Sequence, residues 1–179
     1  MTILKLKLTL SIFFSLTFIY SVFATKYGMP KSREIKSNNK EFTLKINPKT
    51  KTHSIHKGDE EKSLWTFKKD VWHFPFFLSN DGKVVAVPVW RHVKKYEGDD
   101  LKEKVCIEFY NEKGIFKVYK FEDIIPNPPK TQDVGKGPIG DFWRTWYKSA
   151  TSENDTVILD LTNGKKVTFS LKDGSIVKE

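Results

Sequence analysis

Trp143, Arg144 and Trp146, with Trp90 and Arg91 as a second pair of the same kind, are the residues best suited to hold a ligand. Read as a strand, the run from Asp141 to Tyr147 puts Phe142, Arg144 and Trp146 on one face and Trp143, Thr145 and Tyr147 on the other. A guanidinium between two rings offers stacking and bidentate hydrogen bonds, a combination that suits a sugar ring, an aromatic group or a carboxylate. The competing assignment is that the five tryptophans fill the space between sheets.

Other chemistry is sparse. His53 and His56 are three apart, so on a strand they point to opposite faces and cannot chelate one ion. Glu97, Asp99 and Asp100 supply oxygen ligands without the spacing of a calcium loop and sit among lysines. Gly135-Lys136-Gly137-Pro138-Ile139-Gly140 matches a dinucleotide-binding string, but Pro138 interrupts it and no strand-helix-strand pattern surrounds it. No Walker loop and no Gly-x-Ser-x-Gly occurs. No metal, cofactor or catalytic residue is therefore predicted. An enzymatic reading would have to draw on His73, His92, Glu108 and Asp141.

The first 24 residues read as a signal peptide. Lys5 and Lys7 precede an uncharged 16-residue run, Leu8 to Phe23, which is short for a membrane span. Val22 and Ala24 fit a cleavage site after Ala24. This predicts export to the periplasm or the medium, with membrane attachment only if the leader is retained. Residues 25–40 form a polar segment, and 41–179 a single domain.

Once the leader is removed, 29 basic and 22 acidic side chains remain. Only Arg33, Arg91 and Arg144 are arginine among 31 basic residues, and the lysines are spread along the chain, which argues against nucleic acid as a partner. An intrachain disulfide is excluded because Cys106 is the only cysteine, and its strand-like surroundings predict burial.

The elements that must position these residues are strands. Phe42, Leu44 and Ile46, then Val157, Leu159 and Leu161, then Val167, Phe169 and Leu171 alternate with mainly polar residues, and Asn/Asp/Gly clusters separate the runs. A three-residue loop at Thr162-Asn163-Gly164, with Gly164 left-handed, pairs Leu159 with Val167 and Val157 with Phe169. The same loop form at Lys172-Asp173-Gly174 sets Phe169 opposite Val177, so strands 156–161, 166–171 and 175–178 close the chain as a meander. Val84 to Trp90 is apolar on both faces like a central strand, yet Pro88 requires a bulge or the loss of a neighbour there. Residues 125–140 read as one long irregular connection.

Leu64-Trp65-Thr66-Phe67, then Phe77 to Val87 around Asp81-Gly82-Lys83, then Asn111-Glu112-Lys113-Gly114 resemble blades of the WD40-like or YVTN-type β-propeller repeat proteins that bacteria export, small examples of which have no assigned activity. The resemblance spans roughly 41–179. That length covers about three blades of 40–45 residues, whereas closed propellers have four or more. The expected fold is all-β, an antiparallel meander of hairpins arranged as a propeller-like stack or a sandwich, too short for a closed ring. The expected function is an exported, monomeric binding module for a protein or envelope polymer, with Trp143, Arg144, Trp146, Trp90 and Arg91 as its patch. The alternatives are a hydrolase or other enzyme acting on envelope polymers, and a structural or accessory envelope protein.

Overall fold

The computed structural model describes residues 31–70, 74–89, 92–94, 104–125, 133–136 and 142–178. The leader and its cleavage site lie outside them. Alternation of apolar and polar residues builds three antiparallel sheets of four strands each, none closed into a barrel. The first holds β1 (Arg33–Lys36), β2 (Phe42–Ile46), β3 (Thr52–Lys57) and β4 (Ser63–Lys68) in chain order. In the middle sheet β5 (Phe77–Leu78), β6 (Val85–Pro88), β8 (Val105–Asn111) and β9 (Gly114–Lys120) are again successive neighbours. The last sheet runs β12 (Tyr147–Glu153), β13 (Thr156–Leu161), β14 (Lys166–Ser170) and β15 (Ile176–Lys178). Between β6 and β8 lies β7 (His92–Lys94), which pairs with β11 (Phe142–Thr145) and through it with β10 (Asp133–Lys136) in a small separate sheet. One helical turn, α1 (Phe121–Ile124), is the only helix among the described residues, where no helix is long and apolar enough to cross a membrane.

Two apolar layers hold the sheets together, and the middle sheet contributes to both. Val85, Val87, Val89 and Tyr110 pack on Leu44, Ile46, Ile55 and Phe67 of the first sheet. From the opposite face, Val84, Ala86, Ile107 and Phe109 pack on Val157, Leu159, Val167 and Phe169 of the last. Each such side chain, fully buried, contributes about 1.5–3 kcal/mol. The outward faces of the two flanking sheets are different. Opposite Leu44 and Ile46 the first sheet carries the half-buried Lys45 and a fully buried Thr43, and opposite Val157 and Leu159 the last presents Thr156, Ile158 and Asp160.

The register expected for the β13–β14 hairpin is present. Leu159 faces Val167, Val157 faces Phe169, and Gly164 has φ 86°. At the next hairpin Phe169 faces Ile176 instead of Val177. A shift in register next to Phe169 lets the half-buried Ile176 join the core and leaves Val177 60% exposed. Pro88 marks the loss of a neighbour. The Val89 amide donates to the Cys106 carbonyl on the β8 side, so the missing N–H of Pro88 faces the side where β5, only two residues long, has ended.

Two strands lie where the sequence suggested a polar segment or an irregular connection. β1 lies inside the segment read as polar and brings the start of the domain forward to Arg33; it is a charged edge strand in which Ile35 alone is apolar. β10 interrupts the connection read as irregular over 125–140, pairing through backbone atoms that carry no composition signal.

The first hairpin turns of the first and middle sheets are built alike. In each, a serine amide donates to the carbonyl five residues on (Ser37 to Phe42, 2.9 Å; Ser79 to Val84, 2.9 Å). Its hydroxyl accepts from the same residue's amide (3.1 and 2.9 Å) and donates to an Asx side chain two residues on (2.7 Å in both). The fourth position is left-handed in both, Lys40 at φ 62° and Gly82 at φ 70°. The three first turns are also tied together. The Asn39 amide and side chain bond Asn80 (2.9 and 3.0 Å), the Asn80 amide donates to the Asp155 carboxylate (2.6 Å), and the Ser152 hydroxyl donates to Asn38 (3.2 Å).

Candidate functional site

The chain enters each sheet on the same side of the stack, and there the structure opens a groove of about 290 Å³. Arg33 reaches it from β1, Phe74 and Pro75 from the residues leading into β5, and Tyr147, Lys148, Ser149 and Ala150 from β12. All three layers therefore contribute a wall. The Arg33 guanidinium donates to the Phe74 carbonyl and lies 5.8 Å from the Phe76 ring centre. Burial draws its pKa below the usual arginine value, yet arginine stays charged at neutral pH. Two cationic residues and a serine, with the half-buried Pro75 and Ala150 between them and Phe74 and Tyr147 buried behind, suit a small anionic ligand with an apolar face.

Behind the groove the polar groups are tightly partnered. The Lys69 ammonium lies 5.9 Å from the Phe74 ring centre and pairs with Glu108 at 2.5 Å. The Tyr110 hydroxyl also donates to Glu108, at 2.5 Å. Desolvation, followed by the hydrogen bond to this carboxylate and its charge, pushes the Tyr110 hydroxyl's pKa up. Glu108, the one residue of the proposed enzymatic set with a described side chain, thus serves as a half-buried anchor between the end of the first sheet and the middle sheet.

His53 is fully buried, with its ring edge-on to Phe67 and Phe76 at 5.1 and 5.5 Å. The Asn47 amide donates to Nδ1 (3.2 Å), so Nε2 carries the proton and donates it to the Lys69 carbonyl (2.9 Å). Desolvation holds the imidazole pKa below 6.5, opposed by the hydrogen bond to the Lys69 carbonyl and assisted, as the smallest of the three effects, by the nearby Arg33 charge. The folded state therefore favours neutral His53. Its contribution to stability is complete above the unfolded-state pKa and is lost as pH falls from about 6.5 towards the lower folded value. Urea titrations from pH 7.5 to 5 should show stability falling through this window, with a shallower slope in His53→Gln. An unchanged slope would show that His53 does not titrate on unfolding. His56 points to the opposite face, as its spacing from His53 requires, donating from Nδ1 to the Glu60 carbonyl and accepting from the Ser54 hydroxyl at Nε2, both at 2.8 Å.

Set beside known proteins, the chain matches no family model and no curated protein.

Of the predicted patch, Trp146 is the residue whose side chain is described, and it lies in the core. Trp146 is 3% exposed and packs edge-to-face on Phe121 (5.0 Å) and Tyr147 (4.7 Å) between the middle and last sheets. The alternation that placed it beside Arg144 on an open face assumed one strand. The chain instead leaves the small sheet after Thr145 and enters the last sheet at Tyr147, so Trp146 sits at a change of sheet. Trp143 and Arg144 lie on β11, with their backbones opposite Lys94 and Val93. Trp90, Arg91, His73, Asp141 and the 97–100 acidic group lie outside the described residues. Cys106 is fully buried, its thiol directed at the Tyr119 carbonyl (3.1 Å), and burial pushes its pKa up.

The groove residues escaped the sequence reading because they come from three distant stretches. Arg33, the first residue of a pairing strand and one of only three arginines, was the available signal.

Proposed function

We propose that the chain is an exported binding module that takes an anionic group, carried on a ring or other apolar face, in the groove between Arg33, Phe74, Tyr147 and Lys148. The observation that carries this is that two cationic residues, Arg33 and Lys148, line one concavity together with Ser149, Phe74 and Tyr147, residues drawn from all three sheets. The 29 basic against 22 acidic side chains left after the leader favour an acidic partner, and an anionic envelope polymer has the required chemistry. The reading keeps the aromatic and basic character expected for Trp143, Arg144, Trp146, Trp90 and Arg91 while moving its centre to the groove. Export rests on the pattern of residues 1–24. The likeness to exported WD40-like repeat proteins gains support from the matched turns at Ser37 and Ser79, which recur at blade-like spacing.

Glucuronate and glucose serve as probes. Glucuronate is expected to shift the Ser149 and Ala150 amide resonances, with glucose leaving them in place. Arg33→Gln and Lys148→Ala should each weaken the response by about tenfold, the loss of one charge-assisted hydrogen bond. Equal shifts with glucose, or glucuronate binding that both substitutions leave intact, would overturn the proposal.

A further inference from the structure

The free edge of the middle sheet has the properties of a receptor for another strand. β9 is seven residues long, and its central residues, Ile115 to Val118, are all exposed. Ile115 (54%), Phe116 (38%) and Val118 (40%) are three of the five exposed large hydrophobic residues among those described. The direction of its backbone follows from the ladder. The Cys106 carbonyl accepts from Val89, so the even-numbered residues of β8 bond β6 and the odd-numbered ones, Ile107 and Phe109, bond β9. Tyr119 and Lys117, opposite them, therefore point their backbone groups at β8, and Val118 points its N–H and C=O outward.

The charge on this edge selects the occupant. Lys113 and Lys117 are exposed on β9 or just before it, while Lys120 at its end pairs with Glu122 at 3.7 Å. Antiparallel pairing with a second copy about the strand's centre would set Lys117 against Lys117, and like charges directly opposite are destabilising. An acidic strand meets the same lysines with complementary charge. We infer that β9 accepts an extended segment of another protein, alternating apolar and acidic residues, as a fifth strand of the middle sheet. Main-chain hydrogen bonds give such a complex its affinity, and the lysines set its specificity. This surface is separate from the groove and does not depend on what the groove binds.

The test uses the full chain and two labelled peptides matching β9 in length, one alternating valine with glutamate, the other valine with lysine. Fluorescence anisotropy should show binding of the glutamate peptide alone. Val118→Pro removes the outward N–H while sparing the bonds to β8, and should abolish binding. Lys117→Glu leaves the backbone unchanged and should weaken the glutamate peptide at least tenfold while admitting the lysine peptide, so the inference stays decidable even if the proline variant fails to fold. No binding of the glutamate peptide, equal binding of both peptides by the unaltered chain, or full binding by a folded Val118→Pro protein would overturn it. So would a dimer in sedimentation that Val118→Pro dissolves, since the edge would then belong to a second copy.

Discussion

Trp146→Ala should cost about 3–5 kcal/mol of folding stability, the range for truncating a buried tryptophan. The ring is 3% exposed and meets Phe121 and Tyr147 edge-on, while the Trp146 carbonyl accepts from the Thr162 amide at 3.1 Å, so little around it is free to collapse into the space left. Urea denaturation measures the loss. A cost below about 1 kcal/mol, the size typical of surface positions, would return Trp146 to the open face that simple alternation assigned it.

Glu108→Ala should be destabilising by roughly 2–4 kcal/mol, because it leaves the Lys69 ammonium and the Tyr110 hydroxyl in the core without their shared acceptor. The lower part of the usual range applies because the two charged side chains keep 17% and 12% of their exposure, through which water relieves the stranded charge. The paired replacement Lys69→Met with Glu108→Leu should recover most of the loss, since neither charge then remains buried. A double-mutant cycle checks this. Additive losses would mean that the pair is not coupled.

The parts of the fold that were legible in the sequence are those governed by local chemistry. Thr162-Asn163-Gly164 determines its own hairpin because a left-handed glycine admits one register that puts Leu159 and Val167 on the same side. Pro88 announces the end of β5 because a strand cannot donate where it has no N–H. Where a neighbour decides, the reading failed. The register shift at Phe169 depends on whether Ile176 or Val177 fits the core, and β1 exists because β2 offers an edge to its charged residues. The matched turns at Ser37 and Ser79 were present in the sequence as Ser-Asn-Asx but were hidden by counting glycines, since Lys40 takes the left-handed position that Gly82 takes in its counterpart. The groove was least legible, because no spacing relates Arg33 to Phe74 and Lys148 until the three sheets have stacked.

The middle sheet is apolar on both sides, and this matters while the chain is being made. Its first flank is covered as soon as it emerges, by β2 to β4, which are already synthesised. Its second flank, with Ile107 and Phe109, waits for Val157 to Phe169. At ordinary ribosomal speeds of about 5–20 residues per second, that flank stays bare for roughly 3–10 s. Until β13 and β14 have been made, the nascent chain carries an uncovered oily flank.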